Sequence, residues 1–378
     1  MSTYQYHEWQ TIDGALSAAE QKAVRKLSSH MEVHASRAVV TYNWSDFRHD
    51  PQQVLLDYFD AYLYLANWGS KCLMFRFPRG ILNDEAVAPF LIDELISWET
   101  HGDFQVLAID FNDEEGAGWI EEDAGLSDFI PLRADLMAGD YRLLYLAWMK
   151  ALALEDEAWH DGPAEAIHAN TQPPIPPGLK ALSPALSRFA DIFEVDRHMI
   201  AAAAELSAQR PVALPPDYAH LVAGLSREEC DRLLTAIAEG KPGAVHALRR
   251  RLQPFSAPHS PITSATYQTY DQLRQRARKL AEAERRAAAE EAHRQHVAAM
   301  EALAPRKEAV WEEIVEMLDH GQRSAAVYAR ATELVTSLVW LAEFQGEEIA
   351  FRARLADLAE RYARRKALLR RWREQELL

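Results

Sequence analysis

The stretch from Asp50 to Arg79, DPQQVLLDYFDAYLYLANWGSKCLMFRFPR, constrains the fold more than any other, because aromatic and apolar side chains fill most of it. Asp50 is a good N-cap type, Pro51 suits a first helical turn, and Val54, Leu55, Tyr58, Tyr62, Leu65 and Trp68 recur at helical spacing until Gly69. This predicts a helix over 50–68. Cys72 to Phe77 is apolar at nearly every position, as in a strand covered on both faces, and Pro78-Arg79-Gly80 ends it. A helix this aromatic needs a sheet to lie on, which places the unit at the centre of an N-terminal α+β domain.

The flanking sequence supplies the rest of that domain, expected over 1–158 with about five strands and three to four helices. Tyr4 to Ile12 alternates aromatic and polar side chains as a strand does, and Ser17 with Glu20 has capping-box spacing at the start of a helix. Val33 to Trp44 reads as a second strand, Asp84 to Phe90 as a short helix, and Ile92–Glu99 with Phe104–Phe111 as a hairpin turning at Thr100-His101-Gly102-Asp103. Pro131 to Leu154 has the apolar face of one long helix.

Everything beyond is expected to be helical. Residues 159–178, with the run Pro173-Pro174-Ile175-Pro176-Pro177, read as a stiff linker, 179–253 as a small bundle, 254–265 as a second linker, and 266–378 as a long helical arm. Within the bundle, Ser226 and Glu229 repeat the capping-box spacing. In the arm, Thr266 to Leu303 is rich in Ala, Glu and Arg with a thin apolar stripe, Pro305 restarts the helix, Tyr328 to Phe344 closes on Gly346, and Ile349 to Trp372 forms a last helix.

Charge is unevenly spread. Residues 1–160 hold 11 Lys and Arg against 27 Asp and Glu, whereas the remainder is balanced at 30 each. An acidic domain repels phosphate, so any nucleic-acid contact belongs to the C-terminal region. Cys72 and Cys230 are far apart and read as reduced thiols. The opening MSTYQYHEWQ has neither the basic nor the apolar region of a signal peptide, and no apolar run is long enough to span a membrane, so a cytoplasmic protein is expected.

The opening HEWQTIDGALS, the core FDAYLYLANWGSKCLMFRFP and the ending AEFQGEEIAFRARLADLAERYARRKALLRRW resemble a family of uncharacterised bacterial proteins. The matching positions are Tyr6, Glu8, Trp9, Ile12, Asp13 and Leu16, then Ala66, Asn67, Trp68 and Gly69, with the arginine-rich helical tail. The resemblance spans most of the chain and implies no particular activity.

Motifs that would carry chemistry are missing from the sequence: no GxSxG elbow, Walker A loop, glycine-rich dinucleotide fingerprint, HExxH or CxxC. His30/His34 and His293/His296 lack a carboxylate in metal-ligand spacing, and the acidic stretch Asp110 to Asp123 departs from the calcium-loop pattern. No cofactor is expected. The sequence therefore reads as a non-enzymatic scaffold or adaptor with a protein partner, docking through Tyr58, Tyr62 and Trp68 and through the acidic Glu114, Glu115, Glu121 and Glu122. A second reading is a nucleic-acid-associated component of a bacterial defence or regulatory system, CRISPR-linked modules included, in which Arg364, Arg365, Arg370, Arg371 and Arg373 grip phosphate around a base-stacking Trp372. An unrecognised hydrolase comes third.

Overall fold

The computed structural model describes residues 4–111, 124–158, 172–210, 218–239, 244–252, 269–321 and 324–378. Its N-terminal part is built on one sheet of β1 (Gln5–Gln10), β2 (Glu32–Val33), β3 (Arg37–Tyr42), β4 (Ala61–Ala66), β5 (Lys71–Pro78), β6 (Ile96–His101) and β7 (Phe104–Phe111). Every pairing is antiparallel, in the order β2-β3-β1-β4-β5-β7-β6. With the mostly helical region that follows, this is the α+β and then all-α class that the sequence indicates. The sheet has seven strands where about five were expected.

One added strand comes from the central stretch. The helix expected over 50–68 is instead α2 (Pro51–Tyr58), after α1 (Ala18–Val24), followed by β4. Asp50 does cap α2, accepting from the Gln52 amide at 2.9 Å. Phe59 then turns extended, and β4 pairs with β1 on one side and β5 on the other. In β4 a period of two separates Tyr62, which joins one core, from Ala61, Leu63 and Leu65, which join the other. Because a strand buried on both faces is apolar at almost every position, the same residues also satisfy a helical spacing. The sheet decided between the two.

The expected capping boxes form at Ser17/Glu20 and Ser226/Glu229. After α3 (Asp84–Val87), the expected long helix over 131–154 is two helices, α4 (Ile130–Met137) and α5 (Arg142–Ala158). Gly139 breaks them at φ +79°, a left-handed conformation that glycine tolerates. Asp140 then accepts from the backbone and guanidinium of Arg142.

Helices α4 and α5 lie on the sheet face that presents Leu63, Leu65, Leu73, Phe75, Leu107 and Ile109, and share its core with α6 (Pro184–Ile192) and α7 (Arg197–Leu206). The proline-rich run is part of this packing. Pro173 and Pro176 are buried, and the Ser207 hydroxyl donates to the Pro176 carbonyl at 2.8 Å while accepting from the Leu179 amide at 3.0 Å. Helices α8 (Tyr218–Ala223), α9 (Arg227–Ala238) and α10 (Ala244–Leu252) follow, and then α11 (Tyr270–Leu303).

Two compact units result, Met1–Ala281 and Glu282–Leu378. The second contains the end of α11 with α12 (Lys307–His320), α13 (Ala325–Gln345), α14 (Glu348–Arg361) and α15 (Lys366–Glu374), around Trp311, Ile314, Leu338, Leu355, Leu368 and Trp372. The single last helix expected over 349–372 is therefore two. Neither proline nor glycine marks the break; the chain turns at Tyr362–Arg365 because Leu368 and Trp372 pack into the same core as α13.

Candidate functional site

On the sheet face that carries α2, one cross-strand row is polar. Val40 pairs with His7, His7 with Tyr64, Tyr64 with Cys72, and Cys72 with Asp110. Strand alternation puts all five on one face. His7 is buried among aromatic rings, stacked on Trp9 at 5.8 Å and tilted against Tyr64 at 4.7 Å and Phe47 at 5.5 Å. Its Nδ1 lies 2.9 Å from the Tyr62 hydroxyl, and Nε2 has no hydrogen-bond partner among the described residues. Gln5 closes the rim by donating to the Asp46 carboxylate at 2.5 Å.

Desolvation governs this row. Burial depresses the His7 imidazole to about 4, against a smaller opposing effect of the Asp46 charge. Burial raises Tyr64 to about 12, pushes the Tyr62 phenol and the Cys72 thiol well up, and raises the Asp110 carboxyl. Each change favours the neutral form. Tyr64 on β4 separates Cys72 from His7, and a thiol held protonated is a poor nucleophile, so the row is equipped for packing and hydrogen bonding rather than for thiolate chemistry.

The residues expected to contact a partner do not share one helix face. Tyr58 is half-buried at the end of α2, Tyr62 is buried on β4, and Trp68 lies half-buried in the β4–β5 turn, its indole N–H donating to Ser70 Oγ at 2.9 Å. Tyr62 is thus a core residue: β4 is a central strand, not the exposed side of a helix. Glu114, Glu115, Glu121 and Glu122 lie outside the described residues. Among the described residues no group of three or more His, Cys, Asp and Glu is arranged to hold a metal ion.

In the helical unit, the expected arginine cluster divides. Trp372 is fully buried and its indole N–H donates to Thr332 Oγ1 at 3.1 Å, which removes it as a base-stacking platform. Arg365 packs over the rings of Tyr328 and Tyr362 at 5.9 and 5.4 Å and donates to the Leu318 carbonyl. Arg361 pairs with Asp319 at 2.6 Å, and Arg370 with Glu374 at 3.6 Å. The side chains of Arg364, Arg371 and Arg373, and of Lys366 between them, make no hydrogen bond or ion pair among the described residues, and all but the half-buried Arg371 are exposed.

Sequence reasoning missed three exposed apolar side chains of the helical unit. Trp340 (48% exposed) and Phe344 (45%) are neighbours at i and i+4 on α13, and Ile349 (88%) follows in the first turn of α14. The available signal was that α13 is apolar around most of its circumference, more than one buried face can use. Trp44, 80% exposed after β3, is a further isolated aromatic. No family model, no curated protein and no solved structure matches this chain.

Proposed function

We propose that this chain is a non-enzymatic interaction protein, an adaptor or scaffold of a bacterial cytoplasmic complex, that docks a protein partner through its helical unit. The observation that carries the reading is the exposed aromatic pair Trp340 and Phe344, one turn apart on α13, with Ile349 also exposed on α14. Large apolar side chains left open together on a helical surface cost solubility, and aromatic anchors of this kind dominate the energetics of protein contacts. The buried faces of α13 and α14 are already satisfied by Leu334, Leu338, Leu341, Phe351 and Leu355, so Phe344 and Ile349 are surplus to that core, and Trp340 meets His296 edge-on at 6.1 Å while staying half exposed.

The test is affinity purification of the full chain from its native cell, with and without nuclease, beside the triple variant Trp340→Ala, Phe344→Ala, Ile349→Ala. A defined protein retained by the wild type after nuclease, and lost by a variant of unchanged circular dichroism and melting, is the expected result. An identical set of proteins on both baits would refute the reading.

A further inference from the structure

The segment Arg361–Arg373 holds seven Lys and Arg and no Asp or Glu, inside a unit whose other residues hold 9 Lys and Arg against 18 Asp and Glu. Local structure uses only part of this charge, through Arg361 on Asp319, Arg365 on Leu318 and, more loosely, Arg370 on Glu374. On α15, Leu368, Leu369 and Trp372 face the core. Lys366, Arg370 and Arg373, spaced i, i+4 and i+7, therefore run down one outer side, with Arg364 ahead of the helix and Arg371 beside it. Because the expected last helix is broken at Tyr362–Arg365, Arg364 and Lys366 stand at the N-terminal end of α15, where the macrodipole disfavours cations. Helix formation does not explain their presence there.

We infer that this stripe binds the phosphodiester backbone of nucleic acid without reading its sequence. Arginine forks and a lysine along one helix side match a linear array of phosphates, and the rise from Lys366 to Arg373, about 10 Å, spans roughly three phosphates of one strand. The buried Trp372 offers no ring to a base, so stacking contributes nothing. An anionic membrane fits less well: an interfacial helix needs an apolar face for the bilayer, and that of α15 is committed to the core. Glu374 and Glu376 follow the stripe and limit it to this segment. The inference is independent of the exposed apolar side chains on α13 and α14.

The experiment is fluorescence anisotropy of labelled mixed-sequence duplex titrated with the full chain across a salt series, with vesicles containing anionic lipid as a parallel probe. The expected result is binding that is indifferent to base sequence, with log K falling against log salt at a slope of about −3. Arg364→Glu, Lys366→Glu, Arg373→Glu together should weaken it about tenfold or more, and Arg364→Gln, Lys366→Gln, Arg373→Gln should flatten the slope. The Gln set keeps the test decisive should the reversed variant fold poorly, and Trp340→Ala should leave duplex binding unchanged. Absence of salt-sensitive binding, equal binding by wild type and the Gln set, or binding to vesicles but not duplex would overturn the inference.

Discussion

His7 shows how far one buried side chain can set the behaviour of this fold. Its imidazole titrates near 6.5 when unfolded and near 4 when folded, so the unfolded chain takes up the proton first as pH falls. The folded state is therefore at its best, as far as His7 is concerned, above about pH 6.5. It loses up to about 3 kcal/mol between there and pH 4. Chemical denaturation at neutral pH and at about pH 4.5 should show this loss in the wild type and a flatter dependence in His7→Gln; equal slopes would remove His7 as the cause. Glu8, depressed by Arg37, the Leu126 amide, Tyr6 and Gln10 against its desolvation, loses its contribution only below the ordinary carboxylate range, so the two windows are separable. Asp60 is the other decisive residue. Its buried carboxylate accepts from the amides of Ile12 at 2.6 Å and Asp13 at 3.0 Å and from Arg76 at 2.8 Å, tying the exit of β1 to β5. Asp60→Ala removes the carboxylate that Arg76 Nη2 and two amides donate to, leaving Arg76 its bond to the Leu56 carbonyl, and should cost about 3 kcal/mol in denaturant unfolding.

At the scale of elements, the informative cases are those in which local pattern and final structure part. Residues 59–66 carry apolar side chains at both helical and strand spacing, and only pairing with β1 and β5 selects the strand. The turn at Tyr362–Arg365 has no local breaker and exists because Trp372 finds Thr332 and the α13 core. Trp372→Ala opens a large cavity and should destabilise the helical unit by about 3–5 kcal/mol, whereas Arg373→Ala on the outer side should change its melting by almost nothing. Capping signals behave differently, since Ser17 with Glu20 and Ser226 with Glu229 act within one turn and form where the sequence places them.

At the scale of the molecule, among the described residues the helical core from Met300 to Trp372 shares no member with the two cores that enclose the sheet. Each is closed by its own residues, so the two units should unfold as separable transitions. In calorimetry, Trp372→Ala should lower one transition and leave the other in place; a single transition shifted as a whole would show that the units fold as one. The division bears on function as well, because the exposed Trp340, Phe344 and Ile349 and the cationic stripe all belong to Glu282–Leu378, whereas most of the net negative charge belongs to Met1–Ala281. No helix among the described residues is long and apolar enough to cross a membrane.

The amino-acid sequence by itself determined what acts over one or two turns or one strand: the α+β and then helical order, the caps, the β6–β7 hairpin, the glycine stop after α13 and the asymmetry of charge. It also marked the arginine-rich end of the chain. Only the tertiary structure decided which of two compatible periods a doubly buried segment follows, that Tyr62 and Trp372 go inside, and that Trp340, Phe344 and Ile349 stay outside. The reason is physical: a side chain's type fixes what its burial is worth, while contacts from residues far along the chain fix whether it is buried.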